Sequence, residues 1–458
     1  MAEQEALSSG VEFELKEKFE SAKVAVEENL DSLVKFGGFD FIDSLIDGVD
    51  NLNPEKKAKR GIFLSDDSKA PERAKLKKNI AIWLNLLSNN EDLEAIANDC
   101  EIRAEQSEQS YNKNIKKVLD TAKDLEVSYR TVASFFKNTE STKIKNLTIM
   151  NAAMDDLKNL DNPRFIDAVQ EELVNNYDRL DLRNNYSLLV VPGYLGSNAV
   201  VDKWGKIAYD NKVMMVTDFE NLDDAESTLE WFEAANLTGA DIHKKNVLMT
   251  ANWLVGRGKD EQFGEEEDVH IPASAALAGK IYQTLPSQPT AGKKHGGINE
   301  IEGVRYDMKK SEITQLEKAG MIPMVDEFGK VMAFSAKTLF NGDNLGFQTY
   351  SVVRVFDYVS KVLMDFLNRR AFEAWNSKTE KELRGQIVKF LDDICGPNNL
   401  IDKFKIQRLE QDKQNKDQIH LDIHMTPFFP AKNFLISLDG HKGDDDSNIE
   451  WDSSVSQQ

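Results

Sequence analysis

Between Ser311 and Trp375 the hydrophobic period switches from helix to strand and back, and few folds accommodate that order. Ser311 is placed to cap a helix whose short apolar face is Ile313 and Leu316. Gly320 stands where a helix C-terminus favours a left-handed residue. Met321–Val325 and Val331–Ala336 are apolar runs split by Asp326-Glu327-Phe328-Gly329-Lys330, which predicts strand, turn and strand. A long helix follows, with Val352, Val355/Phe356, Val359, Val362/Leu363 and Phe366 recurring at three- and four-residue steps. None of these side chains is suited to chemistry. The stretch predicts the packed centre of an α/β scaffold.

Upstream, from Tyr186, the same alternation is already running. Ser187–Val191, Val213–Thr217 and Asn246–Ala251 read as strands, and Asn198–Tyr209 and Ala225–Ala235 as the helices between them. Strand–helix–strand order predicts a mainly parallel sheet covered on both faces. Pro272–Asn299 is rich in Pro, Gly and Ser and reads as a long surface excursion. Ser377-Lys378-Thr379-Glu380 is a capping box that starts a helix through Leu383, Ile387, Phe390/Leu391 and Ile394, ended by Gly396-Pro397.

Before Tyr186 the sequence is helical. Leu76, Ile80, Trp83 and Leu87 make one face within Arg73–Phe136, and Tyr111, Ile115, Val118, Ala122 and Leu125 another. Pro163 opens a further helix with Phe165/Ile166, Val169, Leu173 and Tyr177 inward. Nearer the start, Val11, Leu15, Phe19, Ala22, Val26, Leu30 and Leu33 step by 4, 4, 3, 4, 4, 3. That eleven-residue repeat keeps the stripe on one side of a helix. Gly37-Gly38 ends it and Asn53-Pro54-Glu55 links it to the rest, so it either folds onto its own core or docks on a partner.

The last sixty residues change again. Phe404-Lys405-Ile406, Gln418–Thr426 and Asn433–Asp439 read as strands, the first two separated by the polar turn Asp412–Asp417. In Gln418–Thr426 the alternation is strict: Ile419, Leu421, Ile423 and Met425 on one side, Gln418, His420, Asp422, His424 and Thr426 on the other. From Asp439 onward the chain is acidic and poor in apolar residues, which predicts a disordered tail.

Composition narrows the classes of partner. Lys and Arg number 57 against 78 Asp and Glu, a net charge of −21, which repels nucleic acid and anionic membrane. Cys100 and Cys395 are too few and too far apart for a disulfide framework, which suits a reducing cytosol. The N-terminus lacks the apolar core of a signal peptide, and no window is long and apolar enough to span a membrane. A soluble cytoplasmic protein is expected.

The serial order of elements carries a family resemblance. A helix ending in a small residue and glycine, the strand Met321-Ile322-Pro323-Met324, a turn and the strand Ala333–Ala336 resemble the large subunit of the bacterial type VI secretion sheath, the TssC or VipB-like family. The next helix and Lys403–Leu438 match in order and spacing, so the resemblance covers Asn185–Leu438, best after Glu312, and the chain resembles a divergent member. It implies a non-enzymatic building block without cofactor or metal, paired with a small sheath subunit (TssB/VipA-like). Further copies would form a helical sheath around an inner tube (Hcp-like), seated on a baseplate and contracting to expel effectors. It implies that C-terminal strands join strands of neighbouring subunits: here Ile419, His420, Leu421, Asp422, Ile423, His424 and Met425, with Phe434, Ile436 and Leu438. It also implies that an unfoldase ATPase (ClpV-like) grips the N-terminal helix, here Val11, Leu15, Phe19, Ala22, Val26, Leu30 and Leu33. The sheath of a phage-like contractile particle would share the mechanism without a small subunit.

Two enzyme-like or metal-like signals compete with that reading. Val190-Val191-Pro192-Gly193-Tyr194-Leu195-Gly196-Ser197 follows a strand, opens a helix and precedes Asp218 at the end of the next strand, the layout of a dinucleotide site. The middle glycine is missing, though, and Tyr194 and Leu195 would crowd a phosphate; a cytosolic nucleotide-binding enzyme using Gly193, Gly196 and Asp218 is the alternative. His420, Asp422 and His424 share one strand face, neighbours lying roughly 6.6 Å apart along the strand. A metal there needs further ligands, and only His243, His270, His295 and His441 remain as histidines. The expected fold is mixed α/β. The expected divisions are 1–65 (N-terminal helix and linker), 66–185 (helical lobe), 186–400 (mainly parallel α/β core), 401–440 (β segment for strand exchange) and 441–458 (acidic tail).

Overall fold

The computed structural model describes residues 62–63, 65–89, 93–140, 144–432, 435–440 and 451–456, with 59 and 142 as isolated positions. The chain divides into two compact units, residues 1–114 and 115–458. In the first, helix α1 (Ala70–Asn89) carries Leu76 and Ile80 at its surface, 47% and 49% exposed. Helix α2 (Leu93–Lys137) runs from the first unit into the second, where α3 (Met154–Lys158) and α4 (Arg164–Tyr177) follow, the latter burying Ile166, Val169 and Leu173.

The second unit is built on strands β1 (Leu188–Val191), β2 (Met214–Asp218), β3 (Val247–Ala251), β7 (Ile322–Glu327) and β8 (Lys330–Ala333), in the spatial order β1-β2-β3-β7-β8. The first four are parallel and β8 is antiparallel to β7. Phe328 and Gly329 both have positive φ, 57° and 70°, so the β7–β8 connection is the tight mirror-image turn that the glycine signal predicts. Alternate residues face opposite layers. Met215, Val247 and Met249 meet α4, α5 (Asn198–Asp210) and α6 (Ala225–Ala235), whereas Met214, Val216 and Leu248 face α7 (Ser274–Gln283) and the start of a later helix, at Tyr350 and Val353. Helix α8 is a single turn, Gly292–His295.

The expected surface excursion Pro272–Asn299 is corrected by α7. Ser274, Ala275, Ala276, Leu277, Ala278, Gly279 and Ile281 are all buried. Its small residues answer a packing need: a Cβ on Gly279 would lie 2.5 Å from the carbonyl oxygen of Phe135 on α2. Beside it, β4 (Leu254–Arg257), β5 (Val269–Ile271) and β6 (Gly303–Val304) form a small antiparallel sheet, β5-β4-β6.

Helix α9 (Lys310–Ala319) starts one residue before Ser311. Its cap is Lys309, whose N–H donates to Glu312 Oε2 at 2.7 Å, while Gly320 takes φ +104° at the other end as expected. Helix α10 (Tyr350–Arg369) buries Val352, Val355 and Val359. Helix α11 (Ser377–Asp393) is capped by Asn376, not Ser377: its Oδ1 accepts from Lys378 and Thr379 N–H at 2.9 and 3.1 Å.

Strands β9 (Ile401–Gln411) and β10 (Ile419–Pro427) form a hairpin, and β11 (Leu435–Gly440) pairs antiparallel with β12 (Trp451–Ser456). β12 lies in the stretch expected to be disordered. Its ladder is supplied by β11, so it needs no long apolar run of its own.

Candidate assembly interface

The β9–β10 hairpin is an amphipathic ribbon. Leu421 lies opposite Leu409, Ile423 opposite Ile406 and Met425 opposite Phe404. These side chains pack on Val355, Val359, Leu383, Ile387 and Leu391 of α10 and α11, so the apolar face is covered by the chain itself. A register shift between Asp422 and Ile423 leaves Gln407 as a bulge on β9.

The polar face engages His420 and leaves His424 exposed. Arg408 Nε donates to Asp422 Oδ2 at 2.7 Å across the strands, and His420 Nε2 meets Asp412 Oδ2 at 2.8 Å. Asp412 also accepts from the N–H groups of Gln414 and Asn415, both at 2.8 Å, closing the turn. The Asn415 amide, then His420 and the Gln414 amide, hold the Asp412 carboxyl down to about 2. Asp422 and His420 are thus engaged with neighbours of the same ribbon. Among the described residues no three His, Cys, Asp or Glu side chains converge as metal ligands.

What the ribbon leaves open is an edge. Among the described residues β10 pairs with β9 alone. The bond from Asp412 N–H to Gln418 O, 2.8 Å, sets the phase of the ladder, since these two residues lie directly opposite. By that alternation His420 and Asp422 direct their main-chain groups to β9. Ile419, Leu421, Ile423 and Met425 direct theirs to the outer edge. Ile436 on β11 is 51% exposed. Phe434 and the stretch Val11–Leu33, expected to be a partner helix, lie outside the described residues.

The turn after β1 is filled by the chain itself. Asp218 is fully buried and accepts from Gly193 N–H at 2.9 Å, Thr250 Oγ1 at 2.6 Å and Ser274 N–H at 2.7 Å. Burial pushes its carboxyl up, opposed by those donors. Leu195 is fully buried, the Tyr194 ring packs edge-on to Phe219 at 4.9 Å, and a Cβ on Gly193 would collide with Met154. The amide and the acid that a dinucleotide would need are bonded to each other.

A second exposed feature extends the apolar face Tyr111–Leu125 that the sequence marks on α2. Ile115, Val118, Ala122, Leu125, Tyr129, Val132 and Phe136 step by 3, 4, 3, 4, 3, 4 along α2. Thr131 and Ser134 on another face are buried, yet Val118, Leu125 and Tyr129 are 61%, 74% and 72% exposed. That is a coiled-coil seam facing solvent.

Three family models match the chain in succession. The TssC/VipB-like N-terminal region matches residues 26–115, the central domain of type VI secretion system TssC/VipB matches 117–341, and the TssC/VipB-like C-terminal domain matches 349–457. No curated protein matches. Among solved structures, a baseplate chain of the anti-feeding prophage aligns at 17% identity, over 68% of this chain and 80% of that one, with a TM-score of 0.47. A chain of the contracted helical sheath of that particle aligns at 16%, over 68% and 81%, with a TM-score of 0.47. The sheath tail protein from Desulfitobacterium hafniense aligns at 14%, over 58% and 60%, with a TM-score of 0.38.

Proposed function

The chain belongs to the type VI secretion TssC/VipB family and is a structural subunit of a contractile sheath, and from that premise we propose how it is joined to its neighbours. The outer edge of β10 receives a strand from another subunit, and the β11–β12 segment is the reciprocal arm. The observation that carries this reading is the division of labour within β10: the side chains of Leu421, Ile423 and Met425 are used in cis, whereas the main-chain groups of Ile419, Leu421, Ile423 and Met425 are directed outward. Strand addition needs that arrangement.

The exposed seam Ile115–Phe136 takes a helix of the small sheath subunit (TssB/VipA-like). The inner tube (Hcp-like), the baseplate and the unfoldase (ClpV-like), the last at Val11–Leu33, complete the proposal on family grounds, as do a cytoplasmic location and the absence of catalysis. No helix among the described residues is long and apolar enough to cross a membrane. The finer division at 65/66, 185/186, 400/401 and 440/441 belongs to the proposal as well.

Proline removes one amide and is accepted at a strand edge when that amide faces away from the ladder. Leu421→Pro and Ile423→Pro therefore spare the bonds to β9 while blocking an incoming strand. With the small subunit co-expressed, both variants are expected to lose pelletable sheath, whereas Leu421→Ala and Ile423→Ala, which lose the same packing on α10 and α11 but keep the amide, are expected to assemble. His420→Ala combined with His424→Ala is expected to assemble. Normal assembly of the proline variants, or greater damage from the histidine pair, rejects strand exchange at this edge.

A further inference from the structure

At the amino end of the central sheet three lysines from separate elements share the field of one carboxylate, Asp357. Lys212 follows α5, Lys245 precedes β3 and Lys361 lies on α10, one turn beyond Asp357. Lys212 Nζ is 4.0 Å from Asp357 Oδ1. Asp357 Oδ2 already accepts from Asn246 Nδ2 at 2.9 Å. Lys361 Nζ has a neutral partner, the Tyr186 carbonyl oxygen at 2.7 Å, and Lys245 Nζ lies over two rings, 5.2 Å from the Tyr209 centroid and 4.4 Å from that of Phe347. Neither ammonium has a carboxylate within ion-pair distance among the described residues.

Burying an ammonium without an anion is unfavourable unless the deficit is met elsewhere. Here burial is the leading influence on both Lys245 and Lys361, with Asp357 the single favourable charge and Lys212 adding repulsion. The group therefore carries an excess of two positive charges in a chain whose net charge is −21. The rings of Tyr209 and Phe347, both part-buried, flank Lys245 and lower the dielectric on that side of the group. A carboxylate would leave half the excess unmet. A compact dianion matches it, with oxygens enough for three ammonium donors.

We propose that Lys212, Lys245 and Lys361 form a binding site for a phosphate group, free or carried by a small molecule. This site is independent of the β10 edge and of the α2 seam, so it stands or falls apart from the sheath reading.

The test is calorimetric titration of the full-length chain with inorganic phosphate, at constant ionic strength in chloride. Saturable binding is expected, weakened about tenfold or more by Lys245→Met and by Lys361→Met. Lys293→Met, far along the chain in α8, should bind as the parent does. Asp357→Asn, nearly the same shape, should tighten binding severalfold by removing the competing carboxylate, and it guards against a loss caused only by misfolding. Binding matched by chloride, or undiminished in both methionine variants, or weakened in Asp357→Asn, overturns the proposal. Tighter saturable binding of hexa-aspartate than of phosphate does so too, by assigning the lysines to an acidic peptide.

Discussion

The carboxylate of Asp218 accepts from the amide of Gly193 at 2.9 Å and closes the turn after β1 from within. The same carboxylate holds the β3 end through Thr250 and the first turn of α7 through Ser274. One buried acid ties three elements that are distant in sequence.

Asp218→Ala leaves those three donors without a partner in a dry site. At about 1–3 kcal/mol for each buried unsatisfied group, partly relieved by relaxation, the expected loss is roughly 3–5 kcal/mol, with Asp218→Asn less damaging. Urea unfolding measures it. ATP or NAD should leave the melting temperature of the parent chain unchanged. Nucleotide-dependent stabilisation that disappears in Asp218→Asn while the fold is retained would reverse the structural reading of this acid.

Val118→Glu and Leu125→Glu place charges on the α2 seam where the parent side chains are 61% and 74% exposed. Exposed positions of this kind shift stability by about 0.5 kcal/mol or less. The variants are expected to unfold at the parent's urea midpoint and to lose co-purification with the small sheath subunit. Retained co-purification would remove the seam from the interface.

Lys361 makes stability depend on pH in a defined direction. Burial lowers its ammonium to about 8, from an ordinary 10.5. Between these values the unfolded chain binds more protons than the folded one, so stability rises with pH across the window and is flat in this group below it. The full gain is about 3 kcal/mol at 1.36 kcal/mol per pH unit, less where water reaches the amine. Melts from pH 8 to 10.5 without phosphate should show a rise that Lys361→Met lacks. Parallel curves for the two chains would place the amine in water.

Much of the scaffold was legible because period and punctuation are local. The β1-to-β3 alternation, the β7–β8 turn at Phe328-Gly329 and the left-handed Gly320 follow from backbone sterics and side-chain spacing alone. Caps were less legible: Lys309 and Asn376 outcompete the neighbouring Ser311 and Ser377, because the cap falls where the chain direction changes, which packing sets.

By itself the sequence determined which side of each element is apolar: the stripe of α10, the strict alternation of β10, the repeat along α2. Only the tertiary structure decided what covers each apolar side. Leu421 and Ile423 are covered by α10 and α11 of their own chain, whereas no described residue covers Val118 and Leu125, although the sequence marks each stripe as apolar equally plainly. The small residues of α7 were misread for the same reason. Their brevity records the closeness of Phe135, a residue 144 positions before Gly279. Asp218 likewise could be seen to end a strand, but its three donors converge only once the sheet has formed. Periodicity is a property of neighbours along the chain; burial is a property of neighbours in space.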